Sequence, residues 1–154
     1  MLLSVWSFAG FLVALSELFA SLGAPLANQR WSWGSVRKSD SAVFLRVWQD
    51  EGRKVGGRWL TQVSFNEFFK RDPSNLGYVE RLKHLELIRN GSLSYMIMCL
   101  ARDPEANPRS VKSFDRDTVF VGGQIEEIDG DMWLERADRL PVGQVRLRVS
   151  ALEG

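Results

Sequence analysis

The chain is poor in the side chains that build disulfide frameworks and metal sites. Its 154 residues include one cysteine, Cys99, and one histidine, His84. These counts exclude a disulfide framework within the chain, a multi-cysteine zinc site and a histidine-rich metal site. Cys99 lies in an apolar run, where we expect a small buried side chain in a reducing, cytoplasmic setting. No metal or other cofactor is predicted.

Glycine-rich phosphate loops are also missing. The glycines of GRKVGG (52–57) and VGG (121–123) match neither a P-loop nor the dinucleotide-binding fingerprint. Two glycines inside a strand favour a bulge or a close backbone crossing. A lone histidine gives little basis for a Ser/His/Asp triad, so packing or hydrogen bonding at a helix edge is the expected role of His84. We therefore expect a binding protein rather than an enzyme.

The chain has almost no excess charge, but its charges are unevenly distributed. The net charge is +1, which is not typical of a domain that grips duplex DNA. Basic residues outnumber acidic ones by seven to three in residues 30–60, and acidic residues outnumber basic ones by seven to three in residues 116–139. Such an asymmetry can create a binding face or can be neutralised within the fold.

The first 22 residues are apolar, but they lack the basic start of a signal peptide. Glu17 interrupts the run, so its apolar part is shorter than the roughly 20 residues of a membrane span. Helical spacing is shown by Leu15, Leu18, Phe19 and Leu22. We expect an amphipathic helix or an N-terminal extension in residues 1–24 and a single α+β domain in residues 25–154. A signal-like or membrane-anchoring role is not favoured.

Alternation and turn signals predict a strand-rich fold. Expected strands cover residues 30–36, 42–49, 58–63, 92–101, 110–114, 117–128, 131–136 and 145–149. The spacing of Ser64 and Glu67 predicts a capped short helix. A longer helix over residues 76–91 would bury Tyr78, Leu82, Leu85 and Ile88. The expected fold is α+β, with a mainly antiparallel, strongly curved sheet or partly open barrel and two to three packed helices.

Tryptophan and arginine alternate in residues 28–51, which contain three of the six tryptophans. In the strand over residues 42–49, Phe44, Arg46 and Trp48 share one face. If a first strand places Trp31 and Trp33 beside them, an aromatic wall surrounds Arg46. Aromatic rings stack on nucleobases at roughly 1–3 kcal/mol per base, and arginine adds hydrogen bonds. The same wall could instead be covered by helices as core, or could bind a protein.

The order of elements over residues 28–149, with the hairpin VFVGGQIEEIDGDMWL, resembles the PUA-like superfamily, which includes EVE and SRA domains. This resemblance implies a modified base held in an aromatic cage, and a specificity module of a restriction or phage defence system. Under it, the cage is formed by Trp31, Trp33, Trp48 and Trp59. Arg30 and Arg46 are its polar readers, and Phe44 belongs to the same wall. The expected partner is DNA or RNA, including strands with a modified base.

Two other functions remain open from the sequence. A protein-interaction module or small inhibitor would act through an acidic hairpin with Asp117, Glu126, Glu127, Asp129 and Asp131. A metal-dependent nuclease would use Asp115 or Asp117 with Gln124 and Glu126 as its acidic positions. Glu126 occupies the position of the usual lysine, so only metal coordination would remain to activate water.

Overall fold

The computed structural model describes residues 14–146, which form an α+β fold around one sheet of eight strands. The strands are β1 (Gly34–Val36), β2 (Val43–Trp48), β3 (Gly52–Val55), β4 (Arg58–Gln62), β5 (Ser94–Ala101), β6 (Val111–Phe114), β7 (Thr118–Ile128) and β8 (Asp131–Pro141). The helices are α1 (residues 14–21), α2 (Asn66–Arg71), α3 (Leu76–Arg89) and α4 (residues 142–146). A 3-10 turn, Gln49–Glu51, follows β2. No helix within residues 14–146 has the length and apolarity to cross a membrane.

The sheet is open and mostly antiparallel, as predicted. Its strand order is β1-β2-β5-β7-β8-β4-β3, and β6 pairs with the end of β5. Because β1 and β3 do not pair with each other, the sheet is not closed into a barrel; its strong curvature stays a prediction. The pairing of β2 with β5 is parallel, from Val43 opposite Ser94 to Trp48 opposite Cys99. The carboxyl ends of these two strands therefore lie at the same edge.

Both faces of the central strands are buried. On one face, Phe44 stacks on Tyr95 with ring centroids 5.0 Å apart, and α1 packs over them. The predicted apolar stripe of α1 is confirmed: Leu15, Leu18, Phe19 and Leu22 are all buried. On the other face, Val43, Leu45 and Val47 pack with Leu85 and Ile88 of α3. Helix α1 therefore covers the predicted aromatic wall at Phe44.

The predicted first strand over residues 30–36 is wrong for residues 30–33. The Asn28 side chain accepts hydrogen bonds from the backbone N–H groups of Arg30 and Trp31, and the Asn28 carbonyl accepts from Ser32 N–H. An Asn side chain that satisfies the backbone locally competes with strand pairing. Only Gly34–Val36 pairs with β2, so Trp31 and Trp33 do not alternate beside Phe44 and Trp48.

Two other segments differ from the prediction. Residues 52–57 lie outside the predicted strands but contain β3, because the positive φ angles of Gly56 and Gly57 build the tight turn that joins β3 to β4. Residues 145–146 belong to α4 instead of a strand, and residues 147–149 of that predicted strand lie outside the described part of the chain.

The β7–β8 hairpin is confirmed. Asp129 and Gly130 have φ angles of 51° and 87°, which suit the predicted two-residue turn. The predicted irregularity at the paired glycines is also confirmed, since the β7–β8 register shifts on both sides of Gly122. A Cβ at Gly122 would collide with Ser94 Oγ, so β5 and β7 need a glycine there.

The predicted short helix forms, but its predicted capping box does not. Ser64 Oγ donates to Asp131 at 3.1 Å, and the N–H of Asn66, the first residue of α2, donates to the same carboxylate at 2.9 Å. A side chain from β8 thus does the capping that the sequence assigned to Ser64 and Glu67. This bond fixes the start of α2 against the sheet.

The long helix is also confirmed, with one error in its buried stripe. Leu82 is 38% exposed, whereas Arg81 and His84 are buried with Tyr78, Leu85 and Ile88. The Arg81 guanidinium donates to three backbone carbonyls, a contact that leucine cannot make. The helix therefore turns a cation, instead of Leu82, toward the sheet.

Candidate ligand-binding cleft

A cleft of about 630 Å³ opens at the carboxyl end of β2. Its walls come from the end of β2, the 3-10 turn, α2, α3 and the loop of residues 104–109. Small-molecule sites typically have volumes of about 300–1,000 Å³. The aromatic and basic side chains that line it are Trp33, Trp48, Phe65, Phe68, Arg30, Arg46, Arg71, Arg81 and Arg109. The cleft thus combines aromatic rings with several guanidinium groups.

Trp33 is held in place by the first turn of α3. Its ring makes edge contacts with Phe68 and Tyr78, with centroids 5.6 and 5.7 Å apart. Gly77 has no side chain, and the Trp33 indole occupies the space where a Cβ would lie. Edge-to-face packing of this kind fixes the orientation of a ring. Trp33 is therefore a rigid part of the cleft wall.

Trp48 ends β2 and lies beside two arginines. The guanidinium carbons of Arg46 and Arg109 lie 5.9 and 5.6 Å from the centroid of its ring. Arg109 is neutralised by ion pairs with Asp50 at 2.8 Å and Glu51 at 3.1 Å. Arg46 has no such carboxylate, so Trp48 lies between Arg109, which is paired with acids, and Arg46, which is not.

Arg46 and Arg81 form the unpaired positive centre of the cleft. Arg81 is 2% exposed and donates to the carbonyls of Val63, Trp33 and Arg46 at 3.0, 3.1 and 2.6 Å, while its Nε–H has no partner. Within residues 14–146, the Arg46 side chain makes no hydrogen bond or ion pair, and Arg81 makes no ion pair. Buried charges are normally paired. This pair is therefore short of an anion.

Burial lowers the pKa of both arginines. Burial, with a smaller contribution from the Arg46 charge, lowers the pKa of Arg81 to about 9, and burial also lowers the pKa of Arg46. Arg81 still carries its proton at neutral pH. Shifted pKa values in a cleft are typical of functional sites.

Three of the four acidic side chains that line the cleft are engaged elsewhere, and the fourth, Glu105, is exposed on the loop of residues 104–109. Asp131 accepts from Gln62, Ser64 and Asn66, and Glu67 lies 3.4 Å from Lys70. Glu51 pairs with Arg109, and burial raises the pKa of its carboxyl group. Among residues 14–146, no group of three or more His, Cys, Asp or Glu side chains could hold a metal ion.

Neither Cys99 nor His84 provides a reactive group for the cleft. Burial raises the pKa of the Cys99 thiol to about 12, so this residue is a neutral buried side chain, as predicted. Burial, with a smaller contribution from the Arg81 charge, lowers the pKa of His84 to about 4. His84 is buried instead of lying at the helix edge, and its imidazole is neutral at pH 7.

The structure brings together four of the seven predicted site residues: Arg30, Trp33, Arg46 and Trp48 line the cleft. Trp31 is half-buried beside it but does not line it. Phe44 is fully buried under α1, and Trp59 is 49% exposed on β4, where its ring centroid lies 5.8 Å from the Arg136 guanidinium. Neither Phe44 nor Trp59 lines the cleft.

Sequence reasoning missed Phe65, Phe68, Arg71, Arg81 and Arg109 as cleft residues. The sequence contains a signal for one of these residues, Arg81. Arg81 is three residues after Tyr78 and four before Leu85, so helical spacing places it inside the predicted apolar stripe. A cation at such a position needs a partner or a function.

The acids of the predicted interaction hairpin do not form one exposed patch. Asp117 precedes β7, whereas Glu126 to Asp131 lie at the opposite end of that strand. Eleven strand residues span roughly 30 Å. Glu126 pairs with Arg58 at 3.2 Å, and Asp131 is occupied by the start of α2.

The predicted nuclease positions are separated in the same way. Asp115 accepts from Thr118 Oγ1 at 2.6 Å and from Arg139 at 3.2 Å, near the start of β7. Gln124 is exposed further along the strand, and Glu126 pairs with Arg58.

No protein-family model, curated protein or solved structure matches the chain at a significant level. The resemblance to PUA-like domains therefore stays a prediction.

Proposed function

We propose that the cleft binds a nucleotide or a short segment of single-stranded nucleic acid, and that the protein acts by binding rather than by catalysis. One observation carries this proposal: the unpaired Arg46 and Arg81 lie next to Trp48 and Trp33 in the same cleft. A nucleotide combines a negative charge with a flat aromatic ring, so it complements both features.

The unpaired charges of the cleft give the stronger support for this proposal. A buried cation without a partner costs several kcal/mol, which a bound anion would offset. Charge-assisted hydrogen bonds from arginine to phosphate are about twice as strong as neutral ones. The same anion can contact Arg46 without breaking any protein hydrogen bond, because that side chain makes none within the described chain.

The aromatic rings and the size of the cleft also suit a nucleotide. Trp33 and Trp48 are half-buried, and both line the cleft. Stacking on such rings contributes roughly 1–3 kcal/mol per base. The volume suits one nucleotide better than a duplex, and the net charge of +1 fits a local site better than a long phosphate track. A more specific form of this proposal is that the cleft recognises a modified base.

Salt dependence tests this proposal. Binding of a fluorescein-labelled oligonucleotide is measured by fluorescence anisotropy between about 50 and 200 mM salt, a range over which contacts to phosphates change the affinity measurably. With one or two phosphates in contact, log K against log salt has a slope of about −0.7 to −1.4 for a single strand. A slope several times steeper, or a preference for duplex, indicates an extended basic surface and contradicts a cleft site. No binding of any nucleotide or oligonucleotide overturns the proposal.

A further inference from the structure

We propose that Arg46 and Arg81 form a subsite for the terminal phosphate of a phosphomonoester, so that the ligand is a mononucleotide or a phosphorylated strand end. This inference rests on the proposed function and specifies its ligand. It differs from an internal base turned out of a strand, which would bring no terminal phosphate into the cleft.

The first step is a match of charge. Arg46 and Arg81 supply two positive charges, and no carboxylate within the described chain pairs with either. A phosphodiester carries a single negative charge, whereas a phosphomonoester carries about −1.5 to −2 at pH 7. The monoester is therefore the phosphate whose charge balances the pair.

The second step is a match of donors. A guanidinium has five N–H donors. Arg81 uses three hydrogen bonds to fix itself to the carbonyls of Val63, Trp33 and Arg46, and its Nε–H stays unused. All the donors of Arg46 are free of protein acceptors in residues 14–146. Arg81 is therefore a fixed positive charge, and Arg46 has its donors available for the terminal oxygens of a monoester.

Access to Arg81 also favours a terminal phosphate over an internal one. Arg81 is 2% exposed, so a group that contacts it must enter the cleft end first. A phosphodiester within a strand carries a nucleoside on each side, which hinders such an approach, but a terminal phosphate has one free side. The adjoining nucleoside would then lie near Trp33 and Trp48, whose ring centroids are 5.8 and 5.9 Å from the guanidinium carbons of Arg81 and Arg46.

Calorimetric titrations with matched ligands test the subsite. One tetranucleotide is prepared without terminal phosphates, with a 5′-phosphate and with a 3′-phosphate, and a nucleoside is compared with its monophosphate. We expect one terminal phosphate to raise affinity about 10- to 100-fold, the range for a hydrogen bond between charged groups. The two phosphate positions show which strand end enters, and the monophosphate shows whether a free nucleotide is sufficient.

Arg46→Gln is the diagnostic variant, because its side chain makes no hydrogen bond that the fold would lose. Arg53→Gln is the matched control: Arg53 is an exposed arginine whose guanidinium carbon is 5.6 Å from the ring centroid of another tryptophan, Trp133, outside the cleft. We expect the phosphate preference to disappear in Arg46→Gln and to persist in Arg53→Gln.

The outcomes separate the two proposals. Equal binding of phosphorylated and unphosphorylated tetranucleotides overturns the subsite and leaves the proposed function intact. A phosphate preference that persists in Arg46→Gln also overturns the subsite. If no nucleoside, nucleotide or tetranucleotide binds, both proposals fail.

Discussion

Replacing Gly77 with alanine tests how the cleft wall is built. Gly77 is the second residue of α3, where helix propensity alone predicts that alanine stabilises the fold by about 1 kcal/mol. The packing predicts the reverse. A Cβ at this position would overlap Trp33 Nε1 and lie 2.5 Å from the backbone oxygen of Trp31.

The two effects can be compared in magnitude. Overpacking typically costs about 1–3 kcal/mol, and the cost lies toward the upper end here because one clashing atom belongs to the backbone. After the gain in propensity is subtracted, we expect Gly77→Ala to lower the free energy of unfolding by about 1–2 kcal/mol. For a chain of this size, that corresponds to a fall in Tm of roughly 2–8 °C. The displaced Trp33 should also weaken ligand binding.

Thermal unfolding measures the loss of stability, and near-UV circular dichroism measures the displacement of Trp33. Gly143→Ala is the control, since Gly143 lies in α4 and no atom of residues 14–146 is within 4 Å of its added Cβ. We expect that control to change stability by between zero and about 1 kcal/mol in the stabilising direction. A Gly77→Ala protein with a higher Tm and an unchanged tryptophan signal would refute the packing argument.

Three further substitutions test other parts of the account. Asp131→Ala removes the acceptor that caps α2 and should cost about 1–2 kcal/mol of stability in urea unfolding, with weaker ligand binding; unchanged stability would contradict the capping role. His84 has a folded pKa of about 4 against 6.5 unfolded, so its contribution is lost as pH falls below 6.5. The wild type should lose about 2 kcal/mol more between pH 7 and pH 5 than His84→Gln, and equal losses would contradict neutral burial. Gly122→Ala should cost about 1–3 kcal/mol, with partial rescue by Ser94→Ala; no rescue would show that Ser94 is not the obstacle.

Local sequence signals correctly predicted the elements in which the side-chain alternation or the turn residues indicate a single structure. The alternating residues of β2 and the Asp129–Gly130 turn were sufficient to place that strand and the β7–β8 hairpin. They failed where a polar side chain satisfied the backbone locally, as Asn28 does. They also missed β3, because its glycine-rich sequence reads as a connection until the φ angles of its turn are known.

The cleft could be predicted only in part, because it depends on a contact between segments distant in sequence. The parallel pairing of β2 with β5 brings the loop of residues 104–109 next to Arg46 and Trp48, and no turn signal specifies that pairing. Trp33 entered the cleft for a different reason than predicted: it packs on Gly77 and Tyr78 of α3 instead of pairing across a hairpin.

Tryptophan fluorescence tests the central claim most directly. The wild type, Trp48→Leu and Trp59→Leu are titrated with nucleotides and with plain and base-modified oligonucleotides. Trp59 is the control because it is an exposed tryptophan outside the cleft. The account predicts saturable quenching in the wild type and in Trp59→Leu, with affinity about 5- to 150-fold lower in Trp48→Leu, the equivalent of one lost stacking contact. Undiminished affinity in Trp48→Leu, or a loss confined to Trp59→Leu, would contradict a ligand site in this cleft.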